Sequence, residues 1–118
     1  MSTKTRNIIG WILTIILVLA FTMAGVVKLS GQAEMMQNFE KWGLPIMAMY
    51  FIGVAEILGA IGMLIPKTRF LAVLGLIGLM LGAIGTHILN DEQFFPPLIL
   101  LLLLAVLAWI RKPVKSNL

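Results

Sequence analysis

The chain has 118 residues and a mass of 13.0 kDa, room for one domain, so residues 1–118 are read as a single unit. Sixty per cent is apolar, 12% is charged and the mean hydropathy is +1.03, which excludes a water-soluble globule: too little polar surface remains to cover the core. The absence of cysteine excludes disulfide frameworks, thiolate metal sites, iron–sulfur clusters and dithiol relays, and the net charge of +4 sits in short basic fringes that point to lipid and not to nucleic acid.

Hydrocarbon about 30 Å thick requires roughly 20 apolar residues at 1.5 Å rise each. The first such run, Ile8 to Val27, lies between Arg6 and Lys28 and gives a span over about residues 8–28. Its 20 residues exceed a signal-peptide core, and no small-residue cleavage site follows, so an uncleaved span is expected. One face carries Gly10, Thr14, Leu17, Phe21, Ala24 and Lys28. A terminal lysine ordinarily snorkels to the headgroups; the alternative is that Lys28 turns inward toward an acid on the next span.

The connection from Leu29 to Leu44 is long enough for structure of its own. Met35, Met36, Phe39 and Trp42 recur at helical spacing, with Glu34, Gln37, Asn38 and Lys41 opposite, and Gly43 supplies a stop. The pattern predicts a short amphipathic helix on the outer surface, against the alternative of a loop dipping its apolar residues into the interface.

The second span, Ile46 to Ile65, contains Glu56, eleventh of its 20 residues and so near the bilayer centre. An acid at that depth costs roughly 2.5–3.5 kcal/mol, so it is expected to face the protein interior with a partner or a task. Met49, Gly53, Gly59, Ala60 and Met63 line the same face. A protonated glutamic acid holding a neighbouring helix is the alternative reading.

After the tight connection Pro66–Arg69, the third span runs from Phe70 to Leu89. His87 shares a face with Leu76, Met80 and Ala83, and can be a proton carrier, a donor to a ligand oxygen or an interfacial side chain bonded to Thr86, Asn90 or water. Almost opposite lie Gly75, Gly78, Gly82 and Gly85, a packing seam that favours a helix of the same chain over a second protomer. Beyond Asn90–Gln93, the run Leu98 to Ile110 has 13 residues, extended by Phe94, Phe95, Pro96 and Pro97 to a fourth span over about 95–110. Prolines there lose no helix hydrogen bond. With neither glycine nor a polar side chain in its apolar run, this helix reads as outer wall.

Backbone in lipid must satisfy itself, so each run is a helix, and short connections make neighbours antiparallel. The expected fold is an all-α, polytopic membrane protein: an antiparallel four-helix transmembrane bundle with a short amphipathic helix between helices 1 and 2. Lys4, Arg6, Lys67, Arg69, Arg111, Lys112 and Lys115 fall on one side and only Lys28 and Lys41 on the other, which puts both termini in the cytoplasm. Trp11, Trp109 and Trp42 suit an aromatic belt. There is no phosphate loop, metal cluster or nucleophile with an evident base, so no catalytic or metal-binding residue is assigned and independent catalysis is not expected.

Ala24-Gly25-Val26-Val27-Lys28-Leu29, Glu56-Ile57-Leu58-Gly59 followed by Leu64-Ile65-Pro66-Lys67-Thr68-Arg69, and Met80-x-x-Ala83 with Thr86-His87 resemble the DoxX-like family of small four-helix membrane proteins, in order from about Ile8 to Arg111. The resemblance implies a multi-pass protein of the bacterial inner membrane, with Lys28, Glu56 and His87 at positions the family marks. It also implies a link to quinol oxidation, thiosulfate–quinone electron transfer or membrane oxidoreductase complexes in which this subunit has no redox centre. Thiol chemistry of related folds does not carry over to a chain without cysteine.

Three functions compete. The first is an accessory or anchoring subunit of a quinone-linked redox complex, with a site made by Glu56, Lys28, His87 and Thr86 in the outer half, a quinone or lipid as ligand and an oxidoreductase as partner. The second is a small proton-coupled transporter acting as a homodimer, against which Glu56 stands in the second helix, whereas small multidrug resistance proteins keep theirs in the first. The third is a ligand-free assembly or chaperone-like factor.

Overall fold

The computed structural model describes residues 1–111, and among these every regular element is a helix. Lys112 and Lys115 of the basic fringe lie outside the described residues. Helix α1 spans Thr3–Leu29, α2 Ala33–Lys41, α3 Ile46–Leu64, α4 Arg69–Leu89 and α5 Phe95–Arg111. Helices α1, α3 and α4 are long and apolar enough to cross a membrane; α5, with 17 residues, is apolar but shorter.

Helix α1 begins before its apolar run because Ser2 caps it, its hydroxyl accepting the Thr5 amide at 3.1 Å. The expected amphipathic helix is present as α2. Gly43 ends it at φ +75°, a left-handed conformation that lets the Leu44 amide reach the Phe39 carbonyl at 2.9 Å. Pro45 caps α3, the Thr68 hydroxyl donates to the Gly62 carbonyl across the tight turn into α4, and Pro96 and Pro97 occupy the first turn of α5.

Helix α1 packs against α3 and α5, and α4 against the same two, so the four long helices form a closed ring; α2 lies on α3 at one end. A Cβ at Gly25 would meet Ile57, whereas three residues on, Lys28 touches Gly53, so α1 and α3 run in opposite senses where they cross. Gly59 on Leu76 and Gly62 on Ala72 give the same relation between α3 and α4. One apolar cluster joins Leu17 and Phe21 of α1, Ala60 and Met63 of α3, Val73, Leu76 and Met80 of α4, and Leu104 and Leu107 of α5. It fills the half of the bundle around the α3–α4 turn. Leu19, Met23, Phe51 and Leu71 project outward, the arrangement of helices solvated by lipid.

Two expectations fail. Helix α5 is no mere outer wall, since Leu104 and Leu107 are fully buried and Pro97 and Ile110 are buried beside them: an all-apolar helix has no polar stripe to show which face turns in. Among the described residues the α4 glycine seam meets no helix: a Cβ at Gly75, Gly78, Gly82 or Gly85 would find nothing within 4 Å. The close helix contacts fall instead at Gly25 with Gly53, and at Gly59 and Gly62.

Candidate functional site

Lys28 and Glu56 form a buried ion pair, Nζ to Oε1 at 2.9 Å, with side chains 14% and 3% exposed. Helix geometry closes the vertical distance between the two positions. Gly25 and Gly53 bring the α1 and α3 backbones together one turn from the pair: a Cβ at Gly25 would lie 2.7 Å from the Gly53 carbonyl oxygen. Helical side chains lean toward their own N-termini. On two opposed helices Lys28 and Glu56 therefore lean toward each other, and the lysine stem spans what remains. The terminal lysine turns inward, and snorkelling is overturned. Met49, Gly53, Ala60 and Met63 of the Glu56 face are buried, as its stripe predicts.

The Lys28 ammonium is the partner the structure gives Oε1. A carboxylate has about four acceptor positions, so this one retains capacity for a further donor. It faces a cavity of about 620 Å³ lined by all five helices and the α4–α5 connection, with Ala24, Ile52, Leu79, Ala83 and Leu100 among its apolar walls. The exposed Gly78 and Gly82 form part of its rim. Because these exposed lining residues belong to the membrane-crossing α4, the cavity opens sideways toward the lipid-facing surface.

His87 lies on the same cavity but belongs to a second cluster. Its Nδ1 is 3.0 Å from Glu92 Oε1, without hydrogen-bond alignment, and its ring meets Trp42 edge-on with centroids 5.4 Å apart. Trp42 Nε1 donates to Glu92 Oε1 at 2.8 Å and Lys41 Nζ to Glu92 Oε2 at 2.6 Å. Trp42 is thus bound to a carboxylate and is not a free member of an aromatic belt. Glu92 latches the C-terminal end of α2 to the α4–α5 connection, and α2 with Phe39 forms the roof of the cavity. The hydrogen bond from Lys41 does most to hold the Glu92 carboxyl below its ordinary value; the Trp42 N–H and the charges of Lys41 and His87 add to it, against partial desolvation. The interfacial partners expected for His87 are used otherwise: Thr86 donates its hydroxyl to the Gly82 carbonyl at 2.9 Å and Asn90 donates to the Thr86 carbonyl at 2.8 Å.

Glu56, Lys28, His87 and Thr86 thus line one cavity, and the α4 glycines supply part of its rim. Glu92 and Trp42 escape sequence reasoning, because a loop acid has no periodicity to place it and Trp42 reads as one more apolar residue of α2. The described residues contain no group of three His, Asp or Glu side chains placed to hold a metal ion. A largely apolar chamber with Glu56 and His87 on its wall fits an amphiphile whose small head carries hydroxyl groups.

The chain matches the DoxX-like family over residues 12–110, and no curated protein and no solved structure matches it. The chain belongs to the DoxX-like family, and with its apolar helices it is a membrane protein.

Proposed function

We propose that the protein is an accessory or anchoring subunit of a quinone-linked redox complex, which holds the ring of a quinone-class amphiphile in the cavity beneath α2. In this reading α1, α3, α4 and α5 cross the bacterial inner membrane as an antiparallel four-helix bundle forming one domain, with both termini cytoplasmic and α2 on the outer face. The observation that carries it is the Lys28–Glu56 pair on the wall of a largely apolar chamber of about 620 Å³ that opens toward lipid. A pair kept only for packing does not need a chamber beside it.

A bound quinone supplies a carrier of two electrons and two protons; the chain itself binds and orients. Lys28 supplies the counter-charge that keeps Glu56 in place, Glu56 offers acceptor capacity to a ligand hydroxyl, and His87 presents Nδ1 from the other cluster. Thr86, tied to its own helix, shapes the wall. The α4 glycine face, open to any neighbour, is the proposed seat of a partner helix, whether of an oxidoreductase or of a second copy. Proton-coupled transport is the weaker alternative, since the carboxylate it requires already has a fixed counter-charge at 2.9 Å. A ligand-free assembly factor leaves the cavity unexplained.

The test is gentle extraction of the tagged full chain, with identification of retained small molecules and co-purifying proteins by mass spectrometry. A lipid-soluble quinone near one per chain together with an oxidoreductase is the expected result. A chain that retains only phospholipid and captures no redox protein contradicts the reading.

A further inference from the structure

At the end of the bundle away from α2, three arginines continue the buried stripes of three helices. Arg6 stands four residues before Gly10 on α1, Arg69 four before Val73 on α4, and Arg111 four after Leu107 on α5; those three neighbours are all buried. Residues four apart share a helix face, so all three stems are directed to the same end of the core.

Tryptophans hold the guanidinium groups. Arg69 and Arg111 sit over Trp11, 5.2 and 5.0 Å from its ring centroid, and Arg6 over Trp109 at 5.6 Å. Arg111 also lies on the bare backbone of Gly10, where a Cβ would come within 2.6 Å of its Nε. Arg69 Nε donates to the Met63 carbonyl at 3.0 Å. Arg6 Nε, Arg111 Nε and Arg111 Nη2 are buried without an acceptor among the described residues.

No side-chain acid is present to balance them. The five acids of the sequence are Glu34, Glu40, Glu56, Asp91 and Glu92, on α2, in α3 and in the α4–α5 connection. Two guanidinium groups around one indole repel each other, and buried donors on charged groups are costly to leave unmade. Guanidinium forks match the oxygens of a phosphate, and their arrangement at a helix-bundle end suits a headgroup at the membrane surface.

We infer that Arg6, Arg69 and Arg111, seated on Trp11, Trp109 and Gly10, form a binding site for a phosphate group, supplied by an anionic phospholipid. The lipid phosphate provides negative charge that no side-chain acid supplies at this end and accepts from the donors that have no partner among the described residues. Lys67, exposed in the nearby α3–α4 turn, has no ring or glycine to seat it and contributes only diffuse attraction.

Native mass spectrometry of the full chain in neutral detergent, titrated with phosphatidylglycerol or phosphatidylcholine, tests this. The expected result is one phosphatidylglycerol held at least tenfold more tightly than phosphatidylcholine, with Arg69→Gln and Arg111→Gln each losing at least tenfold and Lys67→Gln less than twofold. If Arg111→Gln does not fold, Arg111→Lys, which keeps the charge and loses the fork, carries the same expectation. Displacement by millimolar inorganic phosphate assigns the free anion as ligand; displacement only by phosphatidyl lipid assigns the headgroup. No preference for phosphatidylglycerol, or equal weakening by Lys67→Gln, overturns the site.

Discussion

The two ends of the bundle carry charge in different ways. Around α2, Lys28 is paired with Glu56, while Lys41 and His87 converge on Glu92. Around the α3–α4 turn, Arg6, Arg69 and Arg111 meet aromatic rings and, among the described residues, no carboxylate. Packing divides the same way: the arginine half is filled by the Leu17–Leu107 cluster, whereas the α2 half keeps the cavity. One set of four helices thus builds a dry end whose charges look outward for a partner and a hollow end where Glu56 and Glu92 are paired internally. What separates them is where acids and small residues fall, since both halves are apolar.

The largest expected effect breaks the internal balance. Lys28→Met strands the Glu56 carboxylate and Glu56→Leu strands the Lys28 ammonium, each at about 3–5 kcal/mol of stability, whereas the double variant recovers most of the loss because an apolar pair replaces an ionic one. Unfolding in a detergent series measures this, and additive losses in the double variant would show that the two side chains are not coupled.

Next come the glycines, which sharpen the contrast between used and unused close approach. Gly25→Ala places its Cβ 2.7 Å from the Gly53 carbonyl oxygen, backbone that cannot yield, and is expected to destabilise by about 1–3 kcal/mol. Gly78→Ala and Gly82→Ala enter open space and are expected to leave the isolated chain unchanged or up to about 1 kcal/mol more stable through helix propensity. Loss of a co-purifying helix in the latter two, with monomer stability intact, would place a partner on that seam.

The smallest effect concerns the roof. Glu92 has a lowered carboxyl value in the folded chain, so its latch contributes fully above the ordinary carboxylate value of 4.5 and is lost as pH falls through the folded value. Trp42 emission, read with Trp11 and Trp109 replaced by phenylalanine, should shift on acidification, and Glu92→Gln should show the shifted spectrum at neutral pH. An unchanged spectrum in that variant removes the latch.

Much of the fold is readable in the chain because apolar length, proline and glycine punctuation are local signals. Glu56 announces itself as an acid inside an apolar run, and Lys28 falls on the buried stripe of α1. Their meeting does not follow from either helix alone, since it depends on how Gly25 registers against Gly53. The α4 glycines show the limit from the other side: regular spacing says that something can approach, while the isolated Gly25 and Gly53 are the ones approached. The arginines were legible by the same four-residue step that marks the core, although basic residues near a membrane are read first as orientation signals. Glu92, in a connection without periodicity, could be placed only by tertiary structure.

The central claim is that the charged pair belongs to the wall of a ligand chamber, and a titration with a short-chain quinone read by quenching of Trp42, in the same phenylalanine background, tests it most directly. The account predicts saturable quenching, weakened at least tenfold by Lys28→Met and abolished by Ala83→Phe, which fills the chamber without touching the pair. Quenching that does not saturate, or that is identical in all three proteins, contradicts it.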